Sequence, residues 1–461
     1  MSTATSTGSA GLVEGIVAAF REGRTAAALT AARRALADRP GGHDLQRLMA
    51  LGHHRADDFA AAEIAARRAA ASGDTSADAQ VLIGVAAQAA GAPDRAVAAF
   101  DRALGAPTAP ASARQLRASA LIELGRYDEA WEELLAYLVE HRGSLWWPDS
   151  LVGTAAEPAD GDVQVSALKL RHDLEQLKHL DVQGRLPPGA ASMIGAFGEV
   201  LAEIGDDPTI GAQVTRLDER QRWRIGAAYN KIVVLDPGKR VAGSALATSW
   251  DRQAAARSFA KERVAVVDGL LRPEALAALR RFCLDSTIWF DTGHALGNRG
   301  YIGADGIAGF GCPLVFQIAE DLRAALPGII GDLPLIKLWA FKYDHSLQGI
   351  NAHADAARVN VNFWITPDDA NLSANTGGLL VWNTHIPSEW GFDVFNNDSE
   401  ALLRRAKEVG AAPLAVSHRQ NRAVIFDSDL IHATAPLHFR EGYENRRINV
   451  TLLYGRRRGA S

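Results

Sequence analysis

The chain has 461 residues, room for about three structural units at roughly 150 residues each. Lys and Arg number 49 against 54 Asp and Glu, a net charge of −5 that argues against a nucleic-acid backbone binder, while 48% hydrophobic and 22% charged residues leave enough for a core and exclude wholesale disorder. No run approaches the roughly 18 apolar residues of a membrane helix, the opening MSTATSTGSAG lacks the basic and apolar regions of a secretory signal, and two cysteines, Cys283 and Cys312, cannot build a disulfide framework, so a cytoplasmic protein with no membrane or nucleic-acid partner is expected.

Residues 1–11 read as a disordered N-terminus. From 12 to 141 the chain is Ala-rich and repetitive. Turn-type positions Gly23, Asp57, Gly91 and Gly125 recur every 34 residues. Five residues after each stands an alanine: Ala28, Ala62, Ala96 and Ala130. Seven further on come Ala35, Ala69 and Ala103, then Tyr137, which breaks the series. Ala50, Gly84 and Ala118 add a third small-residue series, Phe59 and Tyr127 follow two of the turns, and Pro40 and Pro107 close helices. Small side chains at fixed intervals are what two antiparallel helices need in order to cross closely. The pattern resembles tetratricopeptide repeats, whose period is the same. The resemblance implies a groove for a protein or peptide partner, or a self-association surface such as a homodimer contact, and no chemistry of its own.

From 142 to 250 the repeat is lost and a helical connector is expected. Leu168, Leu170, Leu174, Leu177 and Leu180 are spaced for a helix, and a second amphipathic helix spans about 191–204. His172, Asp173 and Glu175 read as the solvated face of the first helix. The apolar run Ile232 to Leu235 reads as a short strand.

Beyond 251 the period changes to that of strands. KERVAVVDGLL, LIKLWAFKYD, ARVNVNFWITP, GGLLVWN, NRAVIFDSDLIHATAP and RRINVTLLYG are strand-like runs separated by turn residues, and RPEALAALRRFCLDS is a helix opened by Pro273. Short strands at such intervals read as an antiparallel barrel or jelly roll.

Three residues in these strands carry chemistry. HADA supplies His353 and Asp355, and SDLIHATAP supplies His432, 79 residues after the first His. Positions i and i+2 of a strand share a face, so an imidazole and a carboxylate can reach one ion, with the second imidazole from a distant strand. Two His and one carboxylate leave coordination positions open, the facial triad of non-haem Fe(II) oxygenases. A 2-oxo acid and O2 would take the open positions. The far carboxylate of the 2-oxo acid then wants a buried guanidinium. RRINV offers Arg446 and Arg447 on opposite faces of the last strand. Arg447, which shares its face with Asn449 and Thr451, is preferred.

These motifs resemble the Fe(II)- and 2-oxoglutarate-dependent dioxygenases, on the prolyl-hydroxylase-like side of that superfamily, over roughly 195 residues. The resemblance implies a double-stranded β-helix over 251–457, Fe(II) with 2-oxoglutarate and O2 as cosubstrates, and hydroxylation or another oxidation, because Asp355 is retained. It also implies that Tyr343, ten residues before His353, contacts the cosubstrate. The expected fold class is thus multidomain α + β: a tetratricopeptide-like solenoid, a helical connector and a C-terminal jelly roll.

The segment from Gly293 to Gly311 holds seven glycines and matches no motif of that family. It reads either as a lid bringing His294, Asn298, Arg299 or Tyr301 to substrate, or as a surface loop. His345, His385 and His438 are rivals placed outside the triad, and Arg456–Arg458 reads as a solvated tail. The oxidised substrate is a peptide, a protein or a small molecule. The competing reading is a repeat scaffold or sensor whose barrel does no chemistry.

Overall fold

The computed structural model describes residues 4–56, 58–144, 146, 164–205, 214–292, 301–343 and 349–457. The chain forms two compact units, Met1–Glu133 and Leu134–Arg457.

The first unit is a run of helical hairpins: α1 (Ala4–Arg21) with α2 (Thr25–Asp38), α3 (His43–Arg55) with α4 (Phe59–Ala71), α5 (Ala77–Ala89) with α6 (Pro93–Leu104), and α7 (Ser112–Glu123) with the start of α8 (Tyr127–Arg142). Gly23, Gly91 and Gly125 turn three of the hairpins with φ of 74°, 74° and 72°, a left-handed conformation that costs glycine least. Asp57, the fourth position of the series, lies outside the described residues. Ala28, Ala62, Ala96 and Ala130 are all fully buried, as helix crossings require. Helix α1 begins at Ala4, inside the stretch 1–11 expected to be disordered. Ile16 and Phe20 anchor the later turns of this helix in the core.

The second unit opens with β1 (Gln164–Val165), α9 (Ala167–Val182), α10 (Ser192–Ile204), β2 (Thr215–Arg216) and α11 (Glu219–Ile225). Strands β1 and β2 pair, so the connector is not purely helical. There follow α12 (Arg252–Glu262), β3 (Val264–Asp268), α13 (Pro273–Asp285), β4 (Ile302–Asp305), α14 (Pro313–Ala325), β5 (Leu335–Tyr343), β6 (Ala357–Trp364) and β7 (Leu379–His385). The chain ends with α15 (Phe392–Asn397), α16 (Ser399–Glu408), β8 (Pro413–Val416), β9 (Arg422–Asp427), β10 (Leu430–Thr434) and β11 (Arg447–Arg456). The strands make a six-stranded sheet, β3-β9-β6-β11-β5-β4, and a three-stranded one, β10-β7-β8, with every pairing antiparallel.

Alternation divides the large sheet into two unlike faces. Residues directly opposite on antiparallel strands share a face. Ile448, Val450 and Leu452 of β11 stand beside Lys342, Ala340 and Leu338 of β5, an almost wholly apolar face. Arg447, Asn449 and Thr451 stand beside Tyr343, Phe341 and Trp339, and across β6 Asn449 and Thr451 face Trp364 and Asn362. The polar and aromatic residues are therefore gathered on one surface.

Several expectations give way to tertiary packing. Ile232–Leu235 is not a strand, although Ile232 and Val233 are buried: Ile232 N–H binds the Arg142 carbonyl, and the Thr287 hydroxyl accepts from Val233 at 2.8 Å. The solvated face expected of α9 is buried instead. His172 is fully enclosed, its Nδ1 lies 2.9 Å from Asp173, Lys169 pairs with the same carboxylate, and Glu175 binds Arg446. The expected solvated tail is the end of β11 up to Arg456, followed by a buried Arg457 whose guanidinium binds Asp429 at 2.6 Å and the carbonyls of Pro387 and Trp390 at 3.0 Å each. Arg458 lies outside the described residues. Within the glycine-rich segment Ile302–Asp305 is strand β4 rather than loop, and α14, α15, α16 and β8 have no counterpart in the sequence reading.

Candidate metal centre

His353 and His432 meet as an isolated antiparallel bridge, each N–H donating to the other's carbonyl at 2.9 and 2.8 Å. Their rings lie 4.2 Å apart. His432 is carried by β10. His353 and Asp355 lie in the extended segment leading into β6 rather than within a regular strand, and Asp355 N–H is held by the Ser428 carbonyl at the β9–β10 turn. The two-residue spacing still works, because that segment is extended and pinned to β10.

The Nδ1 atoms of His353 and His432 lie 2.8 Å from the Asn351 carbonyl and 3.0 Å from the Leu430 carbonyl. A carbonyl only accepts, so both Nδ1 atoms carry the proton and in the neutral rings Nε2 bears the lone pair. Asp355 Oδ2 is 3.4 Å from His432 Nε2, and Oδ1 is 4.0 Å from His353 Nε2. All three donor atoms lie within 4.8 Å of one another. Burial opposes ionisation of Asp355, but when His432 is protonated its hydrogen bond and charge, with His353 and Lys337, outweigh burial and hold the carboxyl below its usual range; a ligating Nε2 gives up that proton. Two imidazoles in a ligating tautomer and an ionised carboxylate, with His432 and Asp355 buried, fit a divalent transition metal. Among the described residues no other group of three His, Cys, Asp or Glu gathers in this way.

Arg447 lies on the sheet face that carries Asn360 and Phe426, the neighbours of Asp355 and His432, and is 1% exposed. Its Nε donates to the Gly377 carbonyl at 2.5 Å and Nη2 to the Gly378 carbonyl at 3.2 Å, while its Cζ stands 5.1 Å from the Tyr343 ring and 5.5 Å from that of Trp364. Burial lowers its pKa to about 10 against support from Tyr343, so it stays charged at neutral pH. Among the described residues no carboxylate pairs with it. A buried cation without a counter-ion is costly, and an anionic ligand would relieve it. Arg446 points the other way and binds Glu175 at 2.9 Å.

The rivals lie elsewhere. His385 closes β7 with its ring half exposed, 3.6 Å from Asp427, and His438 is exposed beyond β10. His345, His294, Asn298 and Arg299 lie outside the described residues. Tyr301 leads into β4 and stacks on Phe341 at 4.2 Å. Sequence reading missed Asn360, whose amide donates to Asp355 Oδ2 at 2.5 Å, and Phe426, whose ring lies 4.8 Å from that of His432. The signal for the first was present: asparagines at 360 and 362 interrupt the apolar run Val359–Trp364.

No family profile matches the chain, and no characterised protein matches it in sequence. Among solved structures, it is similar to YrrB, a TPR protein with an unusual peptide-binding site (16% identity, 28% of this chain and 67% of that one, TM-score 0.27). It is similar to the MamA protein (18% identity, 28% and 69%, TM-score 0.26). It is also similar to SnoN, a non-heme alpha ketoglutarate dependent epimerase from nogalamycin biosynthesis (14% identity, 44% and 83%, TM-score 0.33). No helix among the described residues is long and apolar enough to cross a membrane.

Proposed function

We propose that the chain is an Fe(II)- and 2-oxoglutarate-dependent oxygenase, its catalytic part a double-stranded β-helix over 251–457, served by tetratricopeptide-like repeats over 12–141 and a connector over 142–250. The observation that carries this reading is the coincidence of two separate requirements over one sheet face: a His-Asp-His donor set held against Asn360 and Phe426 of that face, and a buried arginine on it with no counter-ion among the described residues. His353, Asp355 and His432 would hold the metal. Iron with 2-oxoglutarate and O2 would supply oxidation of a substrate C–H bond. Arg447 would bind the far carboxylate of 2-oxoglutarate in a fork, supported by Tyr343 directly opposite it. The Asn351 and Leu430 carbonyls keep each imidazole in the tautomer that presents Nε2. Phe426 and Trp364 would shield the site from water.

The substrate is a peptide or protein side chain presented by the repeats, or a small molecule with the repeats serving self-association. Titration of the full chain with Mn(II) and then 2-oxoglutarate, followed by screening of peptides and metabolites for succinate release, tests the reading. One metal per chain and 2-oxoglutarate binding that depends on Arg447 are expected. Absence of metal binding, or 2-oxoglutarate binding indifferent to Arg447, would overturn it.

A further inference from the structure

Each of the three donors in the candidate centre has a partner that orients it, and two of those partners are backbone. His353 and His432 are held by the carbonyls of Asn351 and Leu430, which no substitution removes. Asp355 is held by a side chain, the amide of Asn360, five residues on in β6. An ionised carboxylate only accepts, so the group facing Oδ2 is the amide N–H and the Asn360 oxygen must face away. Asn360 is fully buried, and that oxygen has no hydrogen-bond partner among the described residues. A buried asparagine that satisfies only one end is costly in a strand where valine would pack without loss. A demand made by Asp355 accounts for it.

Register strengthens the case. Asn360 stands directly opposite Phe426 on β9, so the two share a face. Phe426 packs edge-on against His432 at an interplanar angle of 65°. One cross-strand pair therefore steadies two donors from two distant segments, the amide holding the carboxylate and the ring holding the imidazole.

We propose that Asn360 is a positioning residue for the metal centre: its amide fixes the Asp355 carboxylate so that Oδ1 is presented to the ion, and the affinity of the site for a divalent metal depends on it. This rests on the metal-centre reading above and goes beyond it, because it assigns the strength of the site to a residue that does not touch the ion.

The test is Mn(II) binding to the full chain by calorimetry or by loss of free-ion paramagnetic signal. Wild type is compared with Asn360→Ala and with Asn360→Leu, which keeps much of the bulk and loses the donor. Asn360→Ser, too short to reach Asp355, stands in for either variant that fails to fold by circular dichroism. The expected result is a Mn(II) affinity roughly ten- to a hundredfold weaker in the folded variants, as is usual when an outer partner of a ligand is lost. At saturating Mn(II), 2-oxoglutarate affinity should change less than about threefold, because Arg447 is untouched. Wild-type Mn(II) affinity in the folded variants would overturn the proposal. So would parallel loss of Mn(II) and 2-oxoglutarate binding, which marks a general collapse of the site. Failure of the wild-type chain to bind Mn(II) would instead remove the metal centre, and this inference with it.

Discussion

Arg447 and Tyr343 stand directly opposite each other on β11 and β5, the guanidinium carbon 5.1 Å from the ring centroid. The pairing closes one end of the polar sheet face with a cation held between two aromatic rings and capped by two backbone carbonyls. Its neighbour Arg446 has the same charge and the opposite direction, ending on Glu175 of α9. Adjacent arginines thus serve different surfaces of one strand.

Substituting each should separate these roles. Arg447→Ala should raise the 2-oxoglutarate KM roughly a hundredfold, equivalent to about 2–3 kcal/mol of charge-assisted bonding, while metal binding survives. Arg446→Ala should change that KM less than about threefold and instead lower stability, because it strands Glu175. Succinate production and thermal melts of the two variants, measured side by side, decide the point. A KM effect confined to Arg446→Ala would move the anchor to the other face.

His353→Ala and His432→Ala should each abolish Mn(II) binding at stoichiometric metal, since two remaining donors hold a labile ion poorly. His385→Ala should not, because that ring sits against Asp427 rather than in the donor cluster. Equal metal occupancy in all three variants would remove the centre.

The residues legible in the sequence were those whose type conflicts with their local surroundings. His432 and Arg447 are polar residues in apolar strands, and Ala28, Ala62, Ala96 and Ala130 are small residues at a fixed interval; both patterns survive folding. The illegible ones depend on partners far along the chain. His172 reads as part of a solvated helix face, yet it is fully buried. Arg457 reads as tail, but three acceptors at 387, 390 and 429 draw it inward. Asn360 was visible as an oddity, and its partner could be named only once Asp355 was placed beside it.

The repeat unit carries its own test at Gly84. A Cβ there would overlap the Phe100 ring, so α5 and α6 cross at the distance only glycine allows. Helix propensity alone predicts that Gly84→Ala stabilises by about 1 kcal/mol. Overpacking predicts a loss of about 1–3 kcal/mol. We expect the loss, with part of it recovered when Phe100→Leu is added. Stabilisation of the single variant in a helical melt would show that α5 and α6 can part without cost.

Asp427 gives the unit that carries the candidate metal centre a defined response to pH. Burial opposes its ionisation, but hydrogen bonds from His385 and Arg263 outweigh that and hold the carboxyl at about 2. Arg263 Nη2 lies 2.5 Å from it. A carboxylate whose folded pKa is depressed adds stability above its unfolded pKa, near 4, and loses it as pH falls from about 4 to about 2. The contribution is roughly 2 kcal/mol, since one pKa unit is about 1.4 kcal/mol. His385 shows the opposite sign: Asp427 raises its pKa, so its contribution is complete below about pH 6.5 and fades as pH rises through the folded value. Asp427→Asn should therefore flatten both limbs of the stability profile, and His385→Ala should remove the upper limb and weaken the acid one, which Arg263 still supports. Urea unfolding followed by tryptophan fluorescence reads this unit almost alone, because of the 10 tryptophans only Trp131 precedes Leu134. An Asp427→Asn variant with the acid limb of the wild-type chain would show that other carboxylates set the response.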